Sequence, residues 1–329
     1  MPGRDSDDEH LQENPVDKSS MLLIMTDGAT SRPSAAPLTS PARQVLSISS
    51  GCLFCGRPWG EVRRSDEHVL PQWMRKYESD LLKASHNAYS AGFDLDDQAR
   101  EFVELPTVLT TKKSSLLTLK TREVCTSCNN GWMSRLEEAA RPLIRRVAEA
   151  ASTGEALTLT VDEARTLGIW CQKTATTYEL TSDRPRVATT AMGQQLAAST
   201  PLRGGLVWLA RHPRDYDLSI GLVHIDVSST PVPRPGAPDS QIALLSIVYH
   251  WVTFMTFITD RPGRQPLPLP LDRWSLLWPV RRQVEYPPLA ALTGTELTRT
   301  MVEHGHWLPL VQATSIRRSP ILLQVRHRN

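Results

Sequence analysis

Two Cys-x-x-Cys pairs, Cys52 with Cys55 and Cys125 with Cys128, stand far apart in a chain of 329 residues, Cys125 coming 70 positions after Cys55. Each pair presents two sulfurs from one tight turn, and two such turns close a tetrahedral all-thiolate zinc site once the fold brings them together. A fold built on that site must return a long stretch of chain to a single point. Gly56, directly after the first pair, suits a knuckle that turns sharply with its amides facing sulfur. A redox dithiol and chance buried thiols are the other readings of such cysteines, and the paired spacing favours zinc over both. Four thiolates leave no open coordination position, so this zinc is expected to be a structural staple, and any chemistry must come from other groups. Cys171 shares a helical face with Leu167 and Trp170 and reads as a core residue.

The length suits two domains, and 40% hydrophobic with 22% charged residues is ordinary globular usage. A formal charge of +2 announces neither a nucleic-acid nor a membrane partner, so any basic surface must come from local clustering. Residues 1–45, rich in Ser, Thr, Pro, Asp and Ala without apolar periodicity, are expected to form a disordered leader. The first twenty residues are acidic and show no secretory signal, which points to the cytoplasm, where cysteines serve metals or cores rather than disulfides. The apolar run Ile242 to Thr259 is interrupted by Ser246, Tyr249, His250 and several threonines, and its β-branched and aromatic content predicts a buried strand or strand pair rather than a membrane span.

Residues 46–151 carry the cysteines and read as the first folded unit; residues 152–329 read as a separate α+β domain. That second unit opens on Thr160-Val-Asp-Glu163, a capping-box pattern, with Ala164, Leu167, Trp170, Cys171 and Thr174 following at helical spacing. Strands are then predicted over Gly205 to Ala210, Ser219 to Val227, Gln241 to Ile258 and Trp274 to Val280, parted by Pro-rich turns.

Between the knuckles lies Ser65-Asp66-Glu67-His68-Val69-Leu70-Pro71, and after the second comes Asn129-Asn130-Gly131-Trp132-Met133. Arg64 to Val69 can be an extended segment, and Ser115 to Val124, with Leu117 and Leu119 alternating with polar residues, suits a second strand. Asn129 is a favoured N-cap. Trp132, Leu136, Ala139, Ala140, Leu143 and Ile144 then mark the inward face of a helix that Pro142 kinks or restarts. A first Cys-x-x-Cys, then Glu67-His68-x-x-Pro71, then Cys-x-x-Cys-Asn opening a helix, resembles the HNH endonucleases, the ββα-metal or His-Me finger nucleases. The zinc-containing subgroup with Cys-x-x-Cys, Glu-His-Val-x-Pro and Cys-x-x-Cys-Asn-Asn-Gly-Trp-Met is the nearest in pattern. The resemblance covers about residues 51–144 and none of the carboxy-terminal half.

That resemblance implies a zinc-stapled ββα-metal finger carrying an insertion, and a metal-dependent nuclease acting on nucleic acid, DNA first. His68 would be the general base, since an imidazole with a pKa of about 6.5 is largely neutral at working pH. Glu67 and Asn129 would hold Mg²⁺ or a similar hard cation through oxygen, while Cys52, Cys55, Cys125 and Cys128 hold the structural zinc. Each residue also has a plainer reading: His68 packing on the knuckle, Glu67 yielding to Asp66, Asn129 acting only as a cap with Asn130 in reserve. Two departures are visible. Compact family members carry an asparagine about five residues before the second cysteine pair, where this chain has Lys120. The 57 residues from His68 to Cys125 exceed a tight hairpin, and the insertion they imply is expected to hold a helix from Pro71 to Leu82 and an acidic loop at Asp94, Asp96 and Asp97.

Residues 51–150 contain 15 Lys and Arg against 14 Asp and Glu, so only the clusters Arg63-Arg64, Arg75-Lys76, Lys112-Lys113, Lys120 with Arg122, and Arg145-Arg146 speak for a phosphate-binding surface. A catalytically silent zinc module that grips nucleic acid or protein is the alternative, and the missing middle asparagine is its support. No membrane partner is expected.

Overall fold

A computed structural model describes residues 50–77, 86–91, 93–96, 101–104, 108–112, 116–181, 186–212, 218–228, 240–259, 273–279, 283–286, 315–318 and 321–325. The leader expected over residues 1–45 and the Pro-rich turns lie outside them. Residues 46–329 form one compact unit of mixed helix and strand, the α+β class the pattern predicts.

In chain order the elements begin with strand β1 (Arg64–His68) and helix α1 (Gln72–Tyr77), then β2 (His86–Ala91), β3 (Phe93–Asp96), β4 (Glu101–Glu104), β5 (Val108–Lys112) and β6 (Lys120–Cys125). Two helical turns, Thr126–Cys128 and the wider π-type Asn129–Met133, lead into α2 (Ser134–Thr153). The rest are β7 (Leu157–Leu159), α3 (Val161–Glu179), α4 (Thr190–Ala197), β8 (Leu206–Arg211), β9 (Leu218–Ser228), β10 (Ser240–Tyr249), β11 (Val252–Thr259), β12 (Ser275–Trp278), β13 (Val284–Tyr286), β14 (Ser315–Arg318) and β15 (Ile321–Val325).

The strands predicted in the carboxy-terminal half are β8, β9, β10 with β11, and β12. Ile242 to Thr259 is an antiparallel hairpin reversing at His250, whose φ of 50° is left-handed. Among the described residues no helix is long and apolar enough to cross a membrane. The main sheet runs β12-β8-β11-β10-β9-β15-β2-β5, with β14 also beside β9. Strand β15 sits between β9 and β2, so strands of the insertion extend a sheet whose centre is coded about 130 residues later.

Helix α3 explains how the two halves of the chain share one core. Its start is fixed by the capping box: Glu163 N–H donates to Thr160 Oγ1 (3.3 Å) and Thr160 N–H to Glu163 Oε2 (2.9 Å), satisfying two orphan helix-end donors. From Leu167 to Glu179 every residue is buried, because the helix packs against α2, α4, β8, β11 and β12 at once. Trp170 meets Phe254 edge to face at 5.7 Å between centroids. Several of the polar groups this encloses find partners. Leu202 N–H donates to Gln172 Oε1 at 2.8 Å, and Val187 and Ala188 N–H donate to the Glu179 carboxylate at 3.2 and 2.9 Å. The change of character at residue 152 falls at the end of α2, where Gly154 takes a φ of +74° and closes the helix.

Several local expectations change. The residue capping the helical run after the second knuckle is Cys125 rather than Asn129: its sulfur accepts from Cys128 N–H at 3.4 Å, because the knuckle itself is the first helical turn. Helix α2 continues through Pro142, which lies on its exposed side, and buries Ala140, Leu143, Ile144, Val147, Ala148, Ala150 and Ala151 while Ala139 stays exposed. Leu117 belongs to a short 3₁₀ turn, Leu116–Thr118, that drives it into the core before β6 begins at Lys120. Asp94 and Asp96 stand in strand β3, paired across from Val103 and Glu101, and Asp97 lies outside the described residues. The helix in the insertion is described over Gln72–Tyr77, entered from Pro71, whose carbonyl accepts from Met74 N–H at 3.1 Å.

Candidate metal centre

The four sulfurs of Cys52, Cys55, Cys125 and Cys128 lie within 4.8 Å of one another. Cys52 and Cys128 are 3.8 Å apart, as are Cys55 and Cys125. Tetrahedral zinc with Zn–S bonds of about 2.3 Å sets its sulfurs about 3.8 Å apart, so the spacing and the soft donor set fit one zinc ion. The knuckles are prepared for it. Gly56 N–H donates to Cys52 O at 2.8 Å with Gly56 at φ +73°, and Cys125 N–H points at Cys52 Sγ from 3.3 Å. Four thiols this close cannot ionise independently. The hydrogen bond with Cys128 holds Cys52 down at about 4, the same contact pushes Cys128 far up, and burial raises Cys125. A divalent ion bound to all four would favour the thiolate at each.

The chain converges here through backbone pairing. Strand β1 lies antiparallel to β6, with Arg64 opposite Cys125 and His68 opposite Lys120, while Leu53 N–H donates to Glu123 O at 3.1 Å and ties the first knuckle to the same strand. Phe54 packs edge to face on Trp132 at 5.3 Å, seating the first knuckle against the turn after the second. From the other side, α4 presses Gly193 onto the backbone of Leu53 and Phe54, so a Cβ there would meet Leu53 O at 2.4 Å. Among the described residues the cysteine cluster is thus held between β6 and α4.

A β-bulge between Ser65 and Glu67 decides which carboxylate turns inward. Asp66 is exposed and forms a 3.4 Å surface pair with Arg122, whereas Glu67 and His68 are both buried. His68 Nδ1 lies 3.1 Å from Nε2 of Gln72, the first residue of α1. Asn129 is half-buried in the π-type turn and its N–H bonds to Thr126 O; Asn130 is exposed. Lys120, at the position of the expected middle asparagine, is exposed and directly opposite His68 across the strand pair.

Glu67 has a partner that the sequence does not reveal. Lys173 Nζ, on the buried helix α3, donates to Glu67 Oε1 at 2.8 Å and to Glu137 Oε1 on α2 at 2.7 Å. Lys173 is fully buried, and the two carboxylates outweigh burial in its ionisation, keeping the ammonium protonated well above the ordinary lysine range. Neither Lys173 nor Glu137 is part of any recognisable motif, and a lysine between Gln172 and Thr174 reads in sequence as an ordinary helix residue. No family model, curated protein or solved structure matches this chain.

Proposed function

We propose that the chain is a metal-dependent HNH-type endonuclease that hydrolyses phosphodiester bonds in nucleic acid, with DNA as the first substrate to test. One observation carries the reading: two cysteine pairs coded 70 residues apart converge on one point, with the Glu67-His68 strand paired to the strand that runs into the second knuckle and its helix. Strand, strand, knuckle and helix in that order are what the resemblance implies, and Glu67 and His68 are both turned inward beside them. In this reading the zinc is structural. His68 takes the proton from the attacking water as its oxygen bonds to phosphorus and the ester P–O bond breaks. Acting through Nε2 requires the Nδ1–H tautomer, donating to the Gln72 amide oxygen, which is the observed contact with the amide turned over. Glu67 and Asn129 would hold a divalent cation of the Mg²⁺ type. Bound there, such an ion would offset negative charge on the phosphorane-like transition state and the departing oxygen.

Plasmid nicking with Mg²⁺ or Mn²⁺, run beside His68→Ala, tests the assignment. The variant should lose at least about 100-fold in rate with its zinc content unchanged; cleavage that survives the substitution removes His68 from the mechanism. A second reading is favoured by the Lys173 ammonium on Glu67 and by Lys120 in place of the middle asparagine: a catalytically silent zinc module that grips nucleic acid or protein. Tight nucleic-acid binding with no cleavage under either ion would select it.

A further inference from the structure

We infer that Lys173 is a positioning residue of the candidate nuclease site, setting through its charge how strongly the Glu67 carboxylate takes a divalent cation; the inference rests on the nuclease reading above. The lysine comes from α3, in the half of the chain that the HNH resemblance does not touch. Its Nζ lies 2.8 Å from Glu67 Oε1 and 2.7 Å from Glu137 Oε1, and its side chain is fully buried. Those distances fix the two carboxylate oxygens within about 5.5 Å of one another across one ammonium, since each is in charge-assisted hydrogen-bond contact with it. The cluster therefore carries two negative charges and one positive.

This count gives the site a definite electrostatic setting. One oxygen of Glu67 is committed to the ammonium, which orients the carboxylate, and a divalent ion at Glu67 meets a net single negative charge. Burial matters because a fully enclosed ammonium cannot swing into solvent to make way, and because nearby charges interact more strongly away from water. Helix α3 is enclosed on all sides over this stretch, so the position of Nζ is set by the packing of the carboxy-terminal half. The sheet and helices coded after residue 152 thereby reach the finger's acidic residue with a charge, as well as with apolar contacts.

Two substitutions change that charge in opposite directions. Glu137→Gln leaves Lys173 with Glu67 alone and makes the cluster neutral; Lys173→Met leaves two uncompensated carboxylates. A unit charge about 5 Å from a divalent ion shifts its affinity by at least about tenfold even at an effective dielectric of 20. The test is Mn²⁺ binding to the full-length zinc-loaded chain, followed by the electron paramagnetic resonance of free Mn²⁺, alongside Mn²⁺-dependent plasmid nicking. The Mn²⁺ concentration at half-saturation should rise at least about tenfold in Glu137→Gln and fall at least about tenfold in Lys173→Met. A purely structural role for the lysine would weaken binding in both, so shifts in the same direction, or none, overturn the inference. If Lys173→Met does not fold, Glu137→Gln is read beside Glu137→Asp, which shortens the side chain but keeps its charge: half-saturation should rise in the first and not in the second, and equal shifts in both, or none, refute the proposal. A wild-type chain that never nicks DNA while the opposed Mn²⁺ shifts hold would sink the nuclease reading and leave the role of Lys173 standing.

Discussion

Gly193→Ala sets two known effects against each other at the contact between α4 and the first knuckle. Gly193 is the fourth residue of α4 (Thr190–Ala197), and alanine at a helix interior is worth about 1 kcal/mol over glycine. Against this, an added Cβ would stand 2.4 Å from Leu53 O, 2.9 Å from Leu53 C and 3.0 Å from Phe54 Cα. All three are backbone atoms of the knuckle, which cannot rotate away as a side-chain tip would. Relief needs roughly 1 Å of retreat by the helix to reach the 3.3 Å or more normal for carbon against carbonyl oxygen. A gap of that size forfeits a quarter to a half of the dispersion energy along the contact, and overpacking of this kind costs about 1–3 kcal/mol. Taking the upper end for a backbone obstacle, the net loss is about 2 kcal/mol. Urea unfolding followed by tryptophan fluorescence, with a metallochromic dye reporting zinc release in parallel, should show a lower midpoint and faster zinc loss. Gly60→Ala, where a Cβ meets nothing within 4 Å, is the control and should stay within about 0.5 kcal/mol of wild type. A Gly193→Ala protein as stable as wild type, or more so, would show that the propensity gain prevails and that α4 is not seated on the knuckle.

Thiol alkylation read by mass spectrometry should count the cysteines in steps. The zinc-loaded native protein should resist iodoacetamide, a chelator should expose Cys52, Cys55, Cys125 and Cys128, and Cys171 should react only after denaturation, since burial holds its thiol well above the usual range; native labelling of Cys171 would contradict its place in the core. Glu179→Gln should destabilise by about 2–3 kcal/mol in chemical denaturation, because a single amide oxygen cannot serve both the Val187 and Ala188 N–H groups without leaving a buried donor unpaired. Thr160→Ala should cost about 1 kcal/mol by removing the cap of α3, and a midpoint shift no larger than that of an exposed control such as Thr158→Ala would refute the capping assignment. Gln72→Leu should slow nicking by about tenfold or more with zinc content unchanged, as expected when an imidazole loses the partner that fixes its tautomer; an unaltered rate would mean that this contact does not orient the base.

Much of the local structure was legible in the chain. The capping box at Thr160, the strands β8 to β12 and the apolar face of α2 follow from patterns that depend on near neighbours and on periods of two or of three to four residues. The convergence of the cysteines was also readable, because two equally spaced pairs favour one shared metal over a redox dithiol or chance buried thiols. Where the reading slipped, a longer-range contact had overridden a local preference. Asn129 has a capping side chain, yet the sulfur of Cys125 caps first because the knuckle is already helical. Leu117 alternates as a strand residue would, yet a 3₁₀ turn delivers it to the core.

Sequence alone determined that four sulfurs must meet, that Glu67 and His68 stand beside that meeting point in the chain, and that the second half is built of strands behind one long capped helix. Tertiary structure decided which acidic residue turns inward, since a bulge in β1 buries Glu67 and leaves Asp66 in solvent. It also decided that Lys173 faces Glu67 and Glu137 from 106 and 36 residues away. Periodicity and spacing record what a residue's neighbours along the chain require of it; the electrostatic partner of a buried carboxylate depends on how separately coded helices pack, and that leaves no trace in either stretch of sequence taken alone.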